Sequence, residues 1–389
     1  MGYSIDHVLE ELSEKGVTII DPRQTYISPD VELDRIFSGC ELYPGTRLSG
    51  ARTLIGSKVK IGTEGPAVIN DSIIGSNAEV ASGFLSEATM LPGSKAGANS
   101  HFRAGTLLEE DASTAHSVGL KQTILMYSVT LGSLINFCDV LISGGRSRNE
   151  HSEVGSGFIH FNFSPWGKNG NKATPSLIGN VTDGVFLNSE RIFLGGLSGI
   201  TGPVSIGFGA LTGAGQVIRE SVPGSTIHAE AGRTVDKKMA LSDYKLSEKH
   251  LEDIREKNVE FISQLYALKC WYSNVRLKRS IALNDSEFSL VLTGAIETIA
   301  ACISERIYRY NSFAKEWSAP LFNTLDVSSG APGLSGNVSE PEHTIAGFAP
   351  GWEPALAYDV WVKSLPENEV TMLHEWLDSC AAQARRRLC

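Results

Sequence analysis

The residues best suited to chemistry in this chain are histidines. Nine are present, and His151 and His160 lie nine positions apart with Glu153 two residues after the first. An imidazole titrates near neutrality, so it can take a proton from an amine or hydroxyl, and a nearby carboxylate fixes its tautomer and raises its basicity. His160, His151 and Glu153 are therefore the candidate catalytic group, with general-base work as the chemistry. The alternative is that both histidines simply hydrogen-bond to turns. His116 and His101 are further candidates earlier in the chain. The run GGRSRNEH at 144–151 supplies Arg146 and Arg148, which with Asn136 make a polar cluster. A guanidinium pair suits a phosphate or carboxylate; a solvated corner is the competing reading.

Other chemistries find less support. The spacing HxE-x6-H matches no standard zinc motif, so no metal is expected. The six cysteines form no CxxC pair and read as reduced thiols of a cytoplasmic protein. A formal net charge of −10 argues against a nucleic-acid binder, although local arginines and lysines can still hold a small anion. The amphipathic N-terminus is unlike a signal peptide, and no uncharged apolar run looks long enough to span a bilayer, so no membrane partner is expected.

The elements that position these residues are read from an internal repeat. Apolar residues recur every six positions, often followed by a small one: Ile55-Gly56 then Ile61-Gly62, Ile74-Gly75 then Val80-Ala81, and Leu194-Gly195, Ile200-Thr201, Ile206-Gly207. Six is neither the period of a helix nor that of a simple strand. It is the period of a three-sided solenoid with one inward aliphatic per side and about 18 residues per coil. Most of the 39 glycines lie in this region, as tight corners require. A β-sandwich would instead alternate every second residue. The beat breaks at 161–175, FNFSPWGKNGNKATP, which reads as a loop projecting from the solenoid.

Around the solenoid the periodicity becomes helical. Residues 1–16 hold a short amphipathic helix, 17–236 the solenoid, and 237–389 a helical region. In that last region Leu251, Ile254, Val259, Ile262, Leu265 and Leu268 form one stripe, with further helices over 286–312 and 366–387. The expected fold class is a left-handed parallel β-helix followed by an α-helical C-terminal region. The helices are expected either to cap the open end of the solenoid or to mediate assembly.

Specific motifs support a resemblance. VGLKQTILM at 118–126, LGSLINFCD at 131–139, HSEVGSGFIHFNF at 151–163, KATPSLIG at 172–179 and IFLGG at 192–196 resemble the β-helix family labelled UDP-N-acetylglucosamine pyrophosphorylase-related. The hexads as a whole resemble the acetyltransferase half of bacterial N-acetylglucosamine-1-phosphate uridyltransferase. The pyrophosphorylase label implies nucleotidyl transfer, but the Gly-rich phosphate loop and metal-binding carboxylates that it needs are not found here. The acetyltransferase resemblance implies a homotrimer with grooves between chains. There a histidine acts as base, acyl-CoA is the co-substrate, no cofactor is tightly bound, and the acceptor is an amine or hydroxyl of a sugar-nucleotide-like small molecule. It also implies roles for Asn162 and Phe163, matching an Asn-Tyr pair that contacts acetyl-CoA and acceptor, and for Lys168 or Lys172 as a phosphate contact. The family's catalytic histidine would fall near Cys138 or Asp139, where this chain has none. Either His151 or His160 would then supply the base, or the chemistry differs; Asp139 is a further candidate base, against the competing reading of a corner residue paired with Arg146 or Arg148. A nucleotide-sugar binder or a scaffold without catalysis are the alternatives.

Overall fold

In a computed structural model, residues 5–161, 172–230, 246–325 and 357–389 are described. Helix α1 (Ile5–Glu14) leads into strands that run from Thr18 to His228 and wind as a parallel β-solenoid of about 11 turns. One face is an 11-stranded sheet. The second and third faces join as one 16-stranded sheet, because the strands Gly119–Leu125 and Asn136–Ile142 continue round the corner between them. They turn at Gln122 and Asp139, whose φ values of 49° and 63° are left-handed. The expected β-helix with a helical C-terminal region is the architecture observed.

The hexad beat has a plain physical cause. Each side of the triangle sends one aliphatic inward, and the three inward columns share one core. Leu42, Ile61 and Val80 come from the first face, Leu48, Ile69 and Leu85 from the second, and Ile55, Ile74 and Met90 from the third. Outward positions on the first face carry a ladder of alternating charge, Glu41, Lys60, Glu79 and Lys95, at successive coils. The third face differs. Its outward positions, including Leu54, Ile73, Leu107, Ile124, Leu141 and Leu177, are also apolar and buried. A face apolar on both sides needs a cover.

The C-terminal region is that cover. It comprises α3 (Glu248–Cys270), a π-helical turn Trp271–Arg276, α4 (Leu277–Ala282), α5 (Ser286–Trp317), α6 (Tyr358–Lys363) and α7 (Glu367–Leu388). A single-turn helix α2 (Val181–Gly184) sits earlier, after the third-face strand Ser176–Ile178, and packs on α3. Helix α5 lies against the third-face strands Ile73–Ile74, Ala88–Met90 and Thr106–Leu108. The helices therefore lie along the side of the solenoid and not over its open end, which sets aside the first of the two expected roles, capping.

Helix α5 is long and apolar enough to cross a bilayer, with mean hydropathy 1.4 over its most apolar stretch. Its apolar stripe, with Leu292, Ala295, Ile299 and Ile303, is buried against the solenoid instead. Gly294 makes the approach possible: a Cβ there would lie 1.9 Å from Ile73 Cδ1. Asp285 caps the helix by accepting from Phe288 N at 2.9 Å. Buried polar contacts fix the register, with Thr89 and Thr298 hydroxyls at 2.9 Å and Tyr272 OH donating to Glu109 Oε1 at 2.7 Å.

Candidate active site

With the third face covered, chemistry is left to the first two faces and the corner between them. On each second-face strand the side chains alternate out and in. In Ile159–Phe161, Ile159 and Phe161 point out and are 44% exposed, while His160 points into the solenoid and is 3% exposed. It stacks in register on Ile200, and its Nε2 bonds Ser176 Oγ at 2.7 Å. Burial lowers its pKa to about 4, and the charge of Asp139 only partly opposes this. His160 is thus a neutral imidazole inside the core.

His151 lies elsewhere. It belongs to a short antiparallel hairpin, Gly145–Ser147 with Glu150–His151, beside the first face. Its Nδ1–H donates to Arg148 O at 2.8 Å, and its Nε2 lies 3.9 Å from Glu153 Oε2. His151 and Glu153 are together as expected, but His160 is on another face with its ring turned inward. The expected three-residue group is not assembled within the chain.

The expected arginine cluster also divides. Arg146 Nε donates to Asn188 O at 3.3 Å, while Arg148 Nη1 donates to Asp111 O and Thr130 Oγ1, each at 3.1 Å, on the first face. Both guanidinium groups hold the hairpin to the solenoid. Asn136 is on the second face, exposed and pointing out between Gly119 and Ile159. Asp139 pairs with neither arginine: its carboxylate is buried at the corner, 3.5 Å from Arg306 of α5. Lys172 is half-buried, and its carbonyl accepts from Arg306 Nη2 at 2.8 Å. Asn162, Phe163 and Lys168 lie outside the described residues.

The second face brings together residues the sequence reading did not single out. The register aligns Lys121 with Cys138, and extending the preceding pair places Arg103 beside Lys121. Arg103 Nη2 lies 3.7 Å from Cys138 Sγ. Burial pushes the Cys138 thiol up, with Asp139 adding to this, while Arg103, Lys121 and Lys172 pull the other way. Arg103 and Lys121 therefore stand beside Cys138 on one edge of this face, and the charge of Lys172 also acts on it. The spacing was a usable signal, since Arg103 and Lys121 are 18 residues apart, one coil. At the opposite edge of the same coils, His116 Nδ1 and Ser133 Oγ are 3.0 Å apart, and the His116 ring is exposed. Asn136 stands between the two edges. A His–Ser pair, an amide and a cationic stripe on one open face can bind an anionic small molecule and exchange a proton with it.

No family model matches this chain. It is similar to the Bifunctional protein GlmU of Fervidobacterium nodosum, 33% identical over 232 residues, covering 59% of this chain and 45% of that protein. The namesake from Thermotoga petrophila is 31% identical over 229 residues, 59% and 45% of the two chains, and that from Mycobacterium sp. (strain KMS) is 30% identical over 217 residues, 56% and 38%. The chain spans less than half the length of each of these relatives. The resemblance of its hexad repeats to the acetyltransferase half of such enzymes holds, and the stretch this chain shares with the GlmU proteins takes in its parallel β-helix of hexapeptide repeats.

Proposed function

We propose that the chain transfers an acyl group from a coenzyme A thioester to an amine or hydroxyl of a small, anionic, sugar-nucleotide-like acceptor. The observation that carries this reading is the open second face, with Arg103 and Lys121 one coil apart on one edge and the His116–Ser133 pair on the other. The cations, with Lys172, bind the acceptor's phosphate or carboxylate. With Nδ1–H donating to Ser133, Nε2 of His116 carries the lone pair that takes the acceptor's proton as the acceptor attacks the thioester carbonyl. Corner backbone N–H groups stabilise the oxyanion before the thiolate departs. Asn136 orients donor and acceptor, and the acetyltransferase resemblance assigns Asn162, Phe163 and Lys168 to the same task. His151 with Glu153 is the second candidate for the base. His160, buried and hydrogen-bonded to Ser176, is not assigned the role of base in this reading.

The site is completed in a homotrimer. Leu134 and Leu197, 62% and 82% exposed, occupy the corner between the first two faces with left-handed φ values of 59° and 52°. A neighbouring chain over this corner removes them from water and closes the groove.

Thiol release from acetyl-CoA, assayed across hexosamine phosphates and amino-sugar nucleotides, tests the proposal. Lys121→Ala is expected to raise the acceptor KM roughly tenfold or more, from the loss of a charge-assisted contact. His116→Ala should lower kcat by about 10²–10⁴-fold without moving Tm. Full turnover in His116→Ala with loss in His151→Ala would transfer the role of base to His151. If the wild-type protein releases no thiol and coenzyme A does not stabilise it, acyl transfer is wrong.

A further inference from the structure

The second face carries more than its cations and the His116–Ser133 pair. Among the described residues, its outward positions from Tyr26 to Val217 include Arg47, Arg103 and Lys121 but no aspartate or glutamate. The first face, by contrast, presents Glu41, Glu79 and Glu153 outward. At the corner beyond the second face, Asp71 and Glu87 lie in the coils before Arg103, while Arg103 and Lys121 are followed by Ala104 and Gln122. In a chain of formal net charge −10, a face with cations and no carboxylate of its own favours an anion.

Each strand of this face sends out two columns of side chains. In the column nearer the first face, Phe84, His101, Gly119 and Asn136 follow one another in register on successive coils. The rings of Phe84 and His101 lie 5.4 Å apart between centroids, tilted by 37°. Phe84 is 37% exposed, and His101 is exposed beside it. Aromatic rings gain most by leaving water, so two of them paired on an open strand face form a platform with one flat side unused. The next coil has no side chain at this position. A Cβ on Gly119 would meet nothing closer than Asn136 Oδ1 at 3.6 Å, so a notch separates the His101 ring from the Asn136 amide.

The column nearer the third face is polar and then cationic. Ser49 Oγ donates to Asn70 Oδ1 at 2.9 Å, and Asn70 Nδ2 donates to Ser86 Oγ at 3.3 Å. Arg103 comes next; its backbone N–H donates to Leu120 O at 2.9 Å, which sets it beside Lys121. The ring pair and the cation pair are therefore two residues apart along the strand and one coil apart across it. At 3.3 Å per residue and 4.8 Å between strands, that is roughly 8 Å. The separation between a nucleobase and the phosphates on its own ribose is of this order. A phosphate without a base would use the cations and leave both rings in water.

We propose that Phe84 and His101 hold the base of a nucleoside diphosphate whose phosphates lie on Arg103 and Lys121, so that the acceptor is a nucleoside-diphosphate sugar and not a sugar monophosphate. This rests on the reading of the second face as the acceptor site. With the base on the ring pair, the sugar beyond the phosphates runs past Asn136 toward His116 and Ser133. Stacking accepts any base, so the platform sets the class of acceptor and not the identity of its base.

The test is calorimetric titration of the full chain with uridine and adenosine diphosphates, with pyrophosphate and ribose 5-phosphate, and with adenosine 3′,5′-bisphosphate, the nucleotide part of coenzyme A. A nucleoside diphosphate is expected to bind about tenfold or more tightly than pyrophosphate or ribose 5-phosphate. Phe84→Ala should remove that advantage and leave pyrophosphate binding unchanged, while Phe84→Trp should keep it. Gly119→Val fills the notch at a position with ordinary φ, and it should weaken nucleotide binding about tenfold with Tm of the free protein unchanged. The proposal is overturned if no nucleoside diphosphate binds up to roughly 10 mM. It is also overturned if pyrophosphate or ribose 5-phosphate binds as tightly, or if Phe84→Ala binds like the wild type. Preference for the 3′,5′-bisphosphate would give the platform to coenzyme A and overturn it too. Phe84-dependent nucleotide binding without thiol release would end acyl transfer and leave the subsite standing. Thiol release equally fast with hexosamine phosphates, and unchanged in Phe84→Ala, would do the reverse.

Discussion

His160 shows how one residue's direction decides its chemistry. In the sequence it sits beside His151 and Glu153 and resembles a base. In the fold it occupies the inward position of an out–in–out strand, where Ile200 stands in the next coil. A buried imidazole resists protonation, so its pKa falls to about 4. The unfolded chain binds that proton near the ordinary value of 6.5, so between about pH 6.5 and 4 the unfolded state holds more protons. Stability is then lost as pH falls through that window, by up to about 3 kcal/mol from this group. His160→Gln keeps a partner for Ser176 and removes the titration. Its Tm is expected to fall less steeply than that of the wild type between pH 7 and 4.5, measured by thermal unfolding; parallel curves would show that His160 does not carry this dependence.

At the scale of elements, the helical region is held by a face the repeat does not advertise. The hexad beat reports only the inward aliphatic of each side. The third face adds a second apolar residue just before it, as in Leu54-Ile55, Ile73-Ile74 and Leu107-Leu108. Read as hexads, these pairs look like extra core. Read against the register, they are a docking strip for α5. Helix periodicity over 286–312 and 366–387 was legible because those stripes are long, whereas the surface they cover was not, because it depends on coil register. Gly294 is a point of close approach in that contact. Gly294→Val should cost about 1–3 kcal/mol by overpacking. Ile73→Val, which removes the clashing Cδ1, should restore part of the loss in the double variant. Denaturant unfolding of the four proteins measures the coupling; strictly additive losses would mean that α5 does not rest on Ile73.

At the scale of the molecule, the solenoid turns sequence spacing into surface position. Residues 17 or 18 apart stack on adjacent coils, which is how His116 meets Ser133 and how Arg103 lies beside Lys121. The fold was legible because its period is short and repeated many times. The site was legible only in part. His116 and Asn136 were in view, but the cationic stripe was not, since Arg103 and Lys121 belong to no local motif and meet only once the coil length is known. Arg146 and Arg148 drew attention as neighbours in sequence, yet their guanidinium groups pin a hairpin instead. The covered third face and the open second face together direct small-molecule chemistry to one side of the solenoid. Hydrogen exchange with and without coenzyme A and a hexosamine phosphate tests this most directly. The account predicts added protection within residues 98–138, on the second-face strands and the corner that carries His116 and Ser133. Protection confined to the helical region, or none at saturating ligand, would contradict it.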